Sequence, residues 1–133
     1  MLKNGQRINY PLDIDDIDIY QDEKILELVL SNLINNAVKY SSENSIIDFK
    51  INRNSTEFTF EIMDQGIGIP FKDQKHIFER YFRAENALTN QGTGIGLNIV
   101  KGHLESLGGS ISFKSVKDEG TTFIVKLPIL EEK

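Results

Sequence analysis

Two amides, an ammonium and a phenol share one flank of a predicted helix. Asn32 and Asn36 are four residues apart, and Lys39 and Tyr40 follow one turn later. At about 100° per residue they adjoin the apolar face of the same helix. A solvated face would favour glutamate and lysine over asparagine, which is a poor helix former. The flank is therefore either a ligand-binding surface or a surface stripe that happens to carry asparagine.

A carboxylate followed by two glycines ends one of the predicted strands. Asp64 precedes Gly66 and Gly68, and glycine permits positive φ and close approach of the backbone to a flat ligand. A carboxylate in this place could accept a hydrogen bond from the exocyclic amino group that distinguishes adenine from guanine. A plain Asp-x-Gly turn, a frequent loop feature, explains the same residues without a ligand.

A second glycine-rich segment opens a later helix. It reads Gly92-Thr93-Gly94-Ile95-Gly96-Leu97, and the N–H groups at a helix start suit phosphate oxygens. Walker A would need lysine and then serine or threonine after the last glycine, and the dinucleotide fingerprint would need glycine where Leu97 or Ile99 stands. Alone, this segment is a weak signal.

These groups must be positioned by a series of strands and helices. A long amphipathic helix begins at Asp22, its predicted cap, and ends near Ser41–Asn44. The other predicted elements are two short strands within residues 7–20 that break near Asp15, a hairpin of strands 46–53 and 57–63, a helix over 73–83, a loop over 84–93, a helix over 97–107, and strands 110–116 and 122–128. The order predicts an α+β fold, a two-layer sandwich whose mixed, mostly antiparallel sheet of about five strands is covered on one face by about three helices.

Composition limits the classes of function that remain. The chain has 133 residues, enough for one domain with a modest core. Its net charge of −5 gives no general basic field for nucleic acid or anionic lipid, so a phosphate ligand would need a local positive site. The absence of cysteine excludes disulfides and thiolate chemistry, and no apolar run approaches the ~20 residues of a membrane span. The histidines and carboxylates offer no obvious zinc set.

Five motifs follow one another along the chain. They are Asn-x-x-x-Asn-Ala-x-Lys-Tyr at 32–40, Asp-x-Gly-x-Gly-Ile at 64–69, an aromatic box at 77–83, Gly-x-Gly-x-Gly-Leu at 92–97 and Gly-Thr-Thr-Phe at 120–123. In this order the chain resembles the catalytic ATP-binding domain of bacterial sensor histidine kinases, a branch of the GHKL superfamily with the Bergerat fold. The resemblance implies one domain over residues 1–133, with an asparagine-rich helix box at 22–43, a first glycine box at 64–70, an ATP lid at 84–95 and a second glycine box at 92–97.

The resemblance implies how the phosphates of ATP are held. Asn36 would ligate Mg²⁺ bound to the triphosphate, and Asn32 would add a phosphate or metal contact. A neutral amide oxygen suits a hard cation without repelling phosphate. Lys39 and Arg83 would approach the phosphates from opposite sides and, with Asn36, form the implied catalytic set.

The same resemblance implies a pocket for the base. Asp64 would accept from the adenine amino group, Tyr40 would lie against adenine or ribose, and Thr121 and Thr122 would lie beneath the base and support Asp64 through a hydroxyl or a water. Glycines would hinge the lid, and Phe82 would anchor it. The other implied nucleotide contacts are Gly66, Gly68, Ile69, Phe82, Arg83, Gly92, Thr93, Gly94, Ile95, Gly96 and Leu97.

One position separates this branch from its hydrolytic relatives. ATPases of the gyrase, chaperone and mismatch-repair kind carry a water-activating glutamate four residues before the metal-binding asparagine, where this chain has Asn32. Glu27 lies nine residues before Asn36 and is out of phase with it. The resemblance therefore implies phosphoryl transfer by a protein-histidine kinase, driven by positioning and charge neutralisation, and not hydrolysis.

The phosphoryl acceptor is expected on another domain. The family's acceptor histidine lies on a dimerising helical hairpin, and neither His76 nor His103 has the flanking pattern of a phosphoacceptor. The implied partners are the parent protein's own phosphoacceptor domain and, downstream, the receiver domain of a response regulator, with no nucleic acid and no direct membrane contact. We expect the isolated domain to be a cytoplasmic monomer; membrane anchoring of the parent kinase stays open.

Two alternatives stay open from the sequence. A serine kinase of the anti-sigma-factor type shares the pocket but usually lacks the aromatic box of residues 77–83. A non-catalytic module would keep the fold for protein interaction alone, and the intact Asn36, Lys39 and Asp64 argue against it. Loss of nucleotide binding would favour that second alternative.

Overall fold

The computed structural model describes residue 2 and residues 5–9, 23–79 and 96–129. Within these ranges the chain forms, in order, β1 (Arg7–Asn9), α1 (Glu23–Tyr40), β2 (Ile46–Arg53), β3 (Glu57–Met63), α2 (Phe71–Gln74), α3 (Gly96–Ser106), β4 (Ser110–Val116) and β5 (Gly120–Pro128). None of the helices in these ranges is long and apolar enough to cross a membrane.

The five strands form a single sheet in the order β1-β2-β3-β5-β4. β1 runs parallel to β2, whereas the other three pairings are antiparallel. The hairpins β2–β3 and β4–β5 meet at the centre of the sheet, where Phe60 of β3 is paired with Val125 of β5. The predicted α+β fold, with a mixed and mostly antiparallel sheet of five strands, is confirmed.

The core lies between one face of the sheet and the helices. Every second residue of β3 and β5 is buried there, as the two-residue period of a strand requires. The helices α1 and α3 add an apolar stripe each, and Leu26 and Leu30 are partly buried at the edge of the α1 stripe. The side chains that fill this layer include Val29, Leu33 and Ala37 of α1, Val100 and Leu104 of α3, Phe58, Phe60 and Ile62 of β3, and Phe123, Val125 and Leu127 of β5.

The segment after the first glycine box differs from the predicted helix over 73–83. It contains a single helical turn, α2, which starts directly after Pro70, and turns follow it to Phe78. Proline suits the entry to a helix because its φ is fixed, here at −54°. Ile77 and Phe78 reach the core from these turns, so their apolar character reflects packing and not a helical period. The prediction of a helix agrees with α2 at residues 73–74 and is wrong over residues 75–79, and residues 80–83 lie outside the described residues.

Most other boundaries agree with the predictions. β2 and β3 match residue for residue, α1 ends at Tyr40, and α3 begins one residue before the predicted Leu97. β5 begins at Gly120, two residues early, because the turn at Asp118 is tight, with φ of 68°. The predicted strand around Ile17 and Ile19 and the cap at Asp22 lie outside the described residues.

Candidate functional site

The polar flank of α1 forms one side of the site. Asn32, Asn36, Lys39 and Tyr40 are all partly exposed, beside the buried stripe of the same helix. Asn32 donates from Nδ2 to the Leu28 carbonyl one turn back (2.9 Å), which leaves its Oδ1 as an acceptor. The Lys39 ammonium lies 5.2 Å from the centroid of the Tyr40 ring. The helix thus presents two amides and a cation along one line.

Asp64 is a buried carboxylate with one oxygen engaged. It continues the buried alternation of β3 and is 9% exposed. Its Oδ1 accepts from the amides of Gly66 (2.9 Å) and Thr121 (3.1 Å), and its own amide donates to the Thr121 carbonyl (2.9 Å). Within the described parts of the chain, Oδ2 has no hydrogen bond. The second oxygen is therefore the acceptor that a ligand can use.

The charge state of Asp64 reflects two opposing effects. Burial raises the pKa of this carboxyl above its usual value of 3.8, and the backbone amides of Gly66 and Thr121 oppose that rise by stabilising the anion. Desolvation is the larger effect. A further hydrogen-bond donor at Oδ2 would therefore stabilise the buried carboxylate anion.

The loop after Asp64 is pressed against the end of α1. The Ile67 amide donates to the Tyr40 carbonyl (3.1 Å), and a β-carbon on Gly66 would lie 2.3 Å from that carbonyl oxygen. Glycine is therefore required at position 66 by close approach and not by its φ. The contact brings Tyr40 and Asp64, which are distant in sequence, to the same place.

The other side of this loop packs against the β4–β5 turn. Gly68 has φ of 66°, and a β-carbon on it would lie 2.1 Å from the Val116 carbonyl oxygen. The Asp118 amide donates to the Ile67 carbonyl (2.7 Å). Gly120, with φ of 133°, lies against the backbone of Asp64, since a β-carbon there would be 2.2 Å from the Asp64 carbonyl oxygen. The glycine box is thus fixed between α1 and the β4–β5 hairpin.

An open cavity of about 220 Å³ adjoins the Tyr40 side of the loop. Neither Asn36 nor Asp64 borders it, but it shares Tyr40 and Gly66 with the predicted nucleotide pocket. Its lining residues are Tyr40, Ser42, Gln65, Gly66, Ile67 and Asp118.

The two adjacent threonines of β5 lie on opposite faces of the sheet. Thr121 is buried beside Asp64, whereas Thr122 is paired with the exposed Met63 on the other face. Thr121 supports Asp64 through its backbone amide, and its hydroxyl is engaged instead with Ser115 (2.7 Å). The Thr121 hydroxyl therefore makes no direct contact with Asp64, and the expected support through a water stays a prediction. Thr122 lies on the face of the sheet opposite Asp64.

The remaining predicted site residues divide into two groups. Ile69 and Leu97 are partly buried against the core, and Gly96 is the first residue of α3. The others lie outside the described residues: Phe82, Arg83, Gly92, Thr93, Gly94 and Ile95.

Three side chains that were not predicted from the sequence hold this region together. Gln6 is 5% exposed and donates from Nε2 to the carbonyls of Val38, Ser41 and Ser42 at the end of α1. Gln74 and Ser115 connect the glycine box to β4. Only Ser115 had a signal in the sequence, because strand alternation places its hydroxyl on the face of Ile111 and Phe113.

Comparison with known proteins identifies the family and its relatives. A sequence model of the family described as histidine kinase-, DNA gyrase B- and HSP90-like ATPase matches residues 21–131. The chain is 37% identical over 134 residues to the sensor histidine kinase WalK of Bacillus subtilis (strain 168). The match covers 96% of this chain and 22% of WalK. The chain thus spans about a fifth of the length of that relative.

Solved structures with the same fold include those of MprB and ShkA. The mycobacterial sensor histidine kinase MprB superposes with a TM-score of 0.79 at 26% identity over 93% of this chain and 82% of the MprB chain. Full-length ShkA in complex with AMPPNP superposes with a TM-score of 0.78 at 25% identity over 96% of this chain and 26% of the ShkA chain.

Proposed function

Because the chain belongs to the family of histidine kinase-, DNA gyrase B- and HSP90-like ATPases, we propose that it is the catalytic domain of a sensor histidine kinase. It binds Mg-ATP and donates the γ-phosphoryl group to a histidine on a separate domain. The observation that carries this proposal is the buried Asp64 carboxylate, which has one oxygen engaged and one oxygen without a partner among the described residues, at the end of the polar flank of α1.

Asp64 would select adenine over guanine. Its Oδ1 already accepts two backbone amides, so Oδ2 is left to accept from the exocyclic amino group of adenine. Guanine presents a carbonyl oxygen at the same position, and two acceptors would then face each other with no proton between them. Burial makes this mismatch costly, because the unpaired carboxylate cannot be solvated.

The triphosphate would run along α1 towards its N-terminus. Asn32 and Tyr40 are eight residues apart, about 12 Å along a helix axis, which suits a nucleotide whose base lies near Tyr40. Lys39 would supply positive charge within an acidic chain. Arg83 and the glycines at 92, 94 and 96 would close on the phosphates from the other side.

A Mg²⁺ ion bound with ATP fits the donors that α1 presents. Mg²⁺ prefers oxygen ligands and keeps several waters, so phosphates, waters and a single amide oxygen from Asn36 form a suitable set. When bound, the ion would neutralise charge on the phosphates during transfer. Asn32 would either donate from Nδ2 to the same phosphates or ligate the ion through Oδ1, according to the orientation of its amide.

The reaction is a displacement at the γ-phosphorus. An imidazole nitrogen of the acceptor histidine forms the new N–P bond, the bond from phosphorus to the β–γ bridging oxygen breaks, and ADP leaves with that electron pair. The imidazole N–H proton is lost to solvent. With Asn32 in place of a glutamate, no side chain of the α1 flank can act as a base towards water, which favours transfer over hydrolysis.

The proposed partners follow from this chemistry. The acceptor histidine would belong to a dimerisation domain of the parent protein, and the phosphoryl group would pass on to the receiver domain of a response regulator. A domain that consumes ATP would work in the cytoplasm, where ATP is made.

The test is phosphoryl transfer in trans. The chain is mixed with γ-labelled ATP, Mg²⁺ and the dimerisation domain of its parent protein, and label on that domain is followed. We expect label that is stable in base and lost in acid, as a phosphohistidine requires. Label with the opposite stability would indicate a hydroxyl acceptor, and no label from a chain that binds ATP would indicate a non-catalytic module; either result contradicts the proposal.

A further inference from the structure

The wall of the proposed base pocket is joined to β4 by side chains and not by strand pairing. Gln74, at the end of α2, donates both protons of Nε2, one to the Ile69 carbonyl (3.0 Å) and one to the Ser115 carbonyl (3.0 Å). Ile69 in turn donates its amide to the Ser115 hydroxyl (2.8 Å). Both polar groups of the Ile69 backbone therefore depend on Gln74 and Ser115.

The hydroxyl of Ser115 has its full set of partners. Its oxygen lies 3.1 Å from the Gly120 carbonyl and 2.7 Å from the Thr121 hydroxyl, in addition to the Ile69 amide. A carbonyl can only accept, so the single proton of Ser115 goes to Gly120. Thr121 must then donate to Ser115. One side chain thus accepts two hydrogen bonds and donates a third.

This network ends at the carboxylate of Asp64. Thr121, held at its hydroxyl by Ser115, donates its amide to Asp64 Oδ1 (3.1 Å) and accepts from the Asp64 amide (2.9 Å). Gly120, held at its carbonyl by Ser115, packs on the Asp64 backbone. Ser115 therefore touches both the pocket wall at Ile69 and the residues that aim Asp64.

We infer that Gln74 and Ser115 are positioning residues for base recognition. Together they fix the separation between the wall formed by residues 66–70 and the free oxygen of Asp64, and that separation decides whether an exocyclic amino group meets Oδ2 at hydrogen-bond distance. Neither residue touches the ligand. This inference rests on the proposed role of Asp64 in binding adenine.

The test compares two nucleotides that differ by a single amino group. ADP and purine riboside diphosphate are titrated into the chain by calorimetry, and the ratio of their dissociation constants measures the contribution of the amino group. A hydrogen bond to a charged acceptor corresponds to a ratio of about 10 to 100 in the unsubstituted chain. A general loss of fold or affinity changes both constants alike and leaves the ratio unchanged.

Three variants remove hydrogen bonds of the network, and a fourth variant serves as a control. Ser115→Ala deletes the hydroxyl, and Gln74→Leu deletes both donors. Gln74→Glu keeps the size of the side chain, but the carboxylate has no N–H group to donate to the Ile69 and Ser115 carbonyls. Ser112→Ala makes the same substitution as Ser115→Ala on the exposed face of the same strand. Thermal denaturation of each variant reports whether it folds, and if Ser115→Ala does not fold, the two Gln74 variants carry the test.

We expect the ratio to fall towards one in the Ser115 and Gln74 variants and to stay unchanged in Ser112→Ala. Folded variants that keep the full ratio would overturn the positioning role while leaving Asp64 as the adenine acceptor. A ratio of one in the unsubstituted chain would instead overturn the proposed role of Asp64, and this inference with it.

Discussion

At the scale of single residues, the burial of the Asp64 carboxylate opposes folding but favours ligand binding. Asp64 is buried, which raises the pKa of its carboxyl and disfavours its charge, and among the described residues two backbone amides oppose that effect. Groups that are strained or desolvated in the free protein and satisfied by a ligand are common at functional sites. The structure therefore assigns Asp64 a cost in the folded state that adenine would remove.

Asp64→Asn should weaken ADP binding without destabilising the fold. The asparagine Oδ1 can keep both backbone amides, so Nδ2 takes the place of Oδ2 and faces the adenine amino group with donor against donor. Calorimetry should show a loss of affinity of at least about tenfold. The melting temperature at neutral pH should stay equal or rise, because the buried charge is gone. A large drop in melting temperature would show that the charge itself holds the loop.

The affinity for ADP should fall as the pH falls through the raised pKa of Asp64. The free protein takes up a proton there, above the usual value of 3.8, and the protonated carboxyl no longer accepts from adenine at Oδ2. By the same linkage, the contribution of this group to folding is fully present below the unfolded pKa and is lost as pH rises through the folded pKa. Titrations between about pH 4 and pH 8 check this, with Asp64→Asn as the reference for titration of the ligand. Equal pH profiles in the two proteins would contradict the prediction.

At the scale of elements, the turn between β3 and α2 is defined by close contacts. It is fixed to the end of α1 at Tyr40 on one side and to the β4–β5 hairpin at Val116 and Asp118 on the other. The glycines of this turn thus lie where its backbone is in contact with the backbone of another element. A change in this turn affects the packing of three elements at once.

Gly68→Ala should destabilise the protein by more than about 2 kcal/mol, because alanine is strained at positive φ and its β-carbon would meet the Val116 carbonyl. Gly102→Ala is the matched control. Gly102 lies within α3, and no atom of the described residues lies within 4 Å of a new β-carbon there, so this change should stabilise the protein by about 0.5–1 kcal/mol. Urea denaturation measures both. Equal effects from the two substitutions would show that the glycine box tolerates side chains.

At the scale of the whole molecule, the fold was more predictable than the site. β2 and β3 could be predicted residue for residue because branched and aromatic residues alternate between clear turn signals. The predicted helix over 73–83 was wrong at residues 75–79 because Ile77 and Phe78 fit a helical period but pack in the core. The centroid of the Phe78 ring lies 5.9 Å from that of Phe113. A local pattern of apolar residues does not distinguish a helix from a non-helical segment whose side chains pack in the core.

For the candidate site, the motifs predicted Asp64 but not the residues that hold it in place. The roles of Thr121 and Thr122 could have been separated by extending the alternation of Phe123 and Val125 backwards. Gln74 binds a strand 41 residues away, and Gln6 binds a helix end 32 to 36 residues away. Contacts at such separations are set by the packed sheet, and no spacing rule in the sequence reveals them.

The chain alone should hydrolyse ATP very slowly. No glutamate occupies position 32, so the flank of α1 lacks a base that could activate water beside the γ-phosphate. Phosphate release, measured with saturating Mg-ATP, should stay far below the turnover of dedicated ATPases. Asn32→Glu places a carboxylate at that position and provides the comparison. Rapid hydrolysis by the unsubstituted chain would rule out the assignment as a transferase.

Calorimetric titration of the unsubstituted chain with ADP and with GDP tests the central claim most directly. The claim is that this fold holds a buried carboxylate whose free oxygen reads the exocyclic amino group of adenine. We predict binding of ADP in the micromolar range and no measurable binding of GDP at the same concentrations. Equal affinity for the two nucleotides, or no heat with either at millimolar concentration, would contradict it.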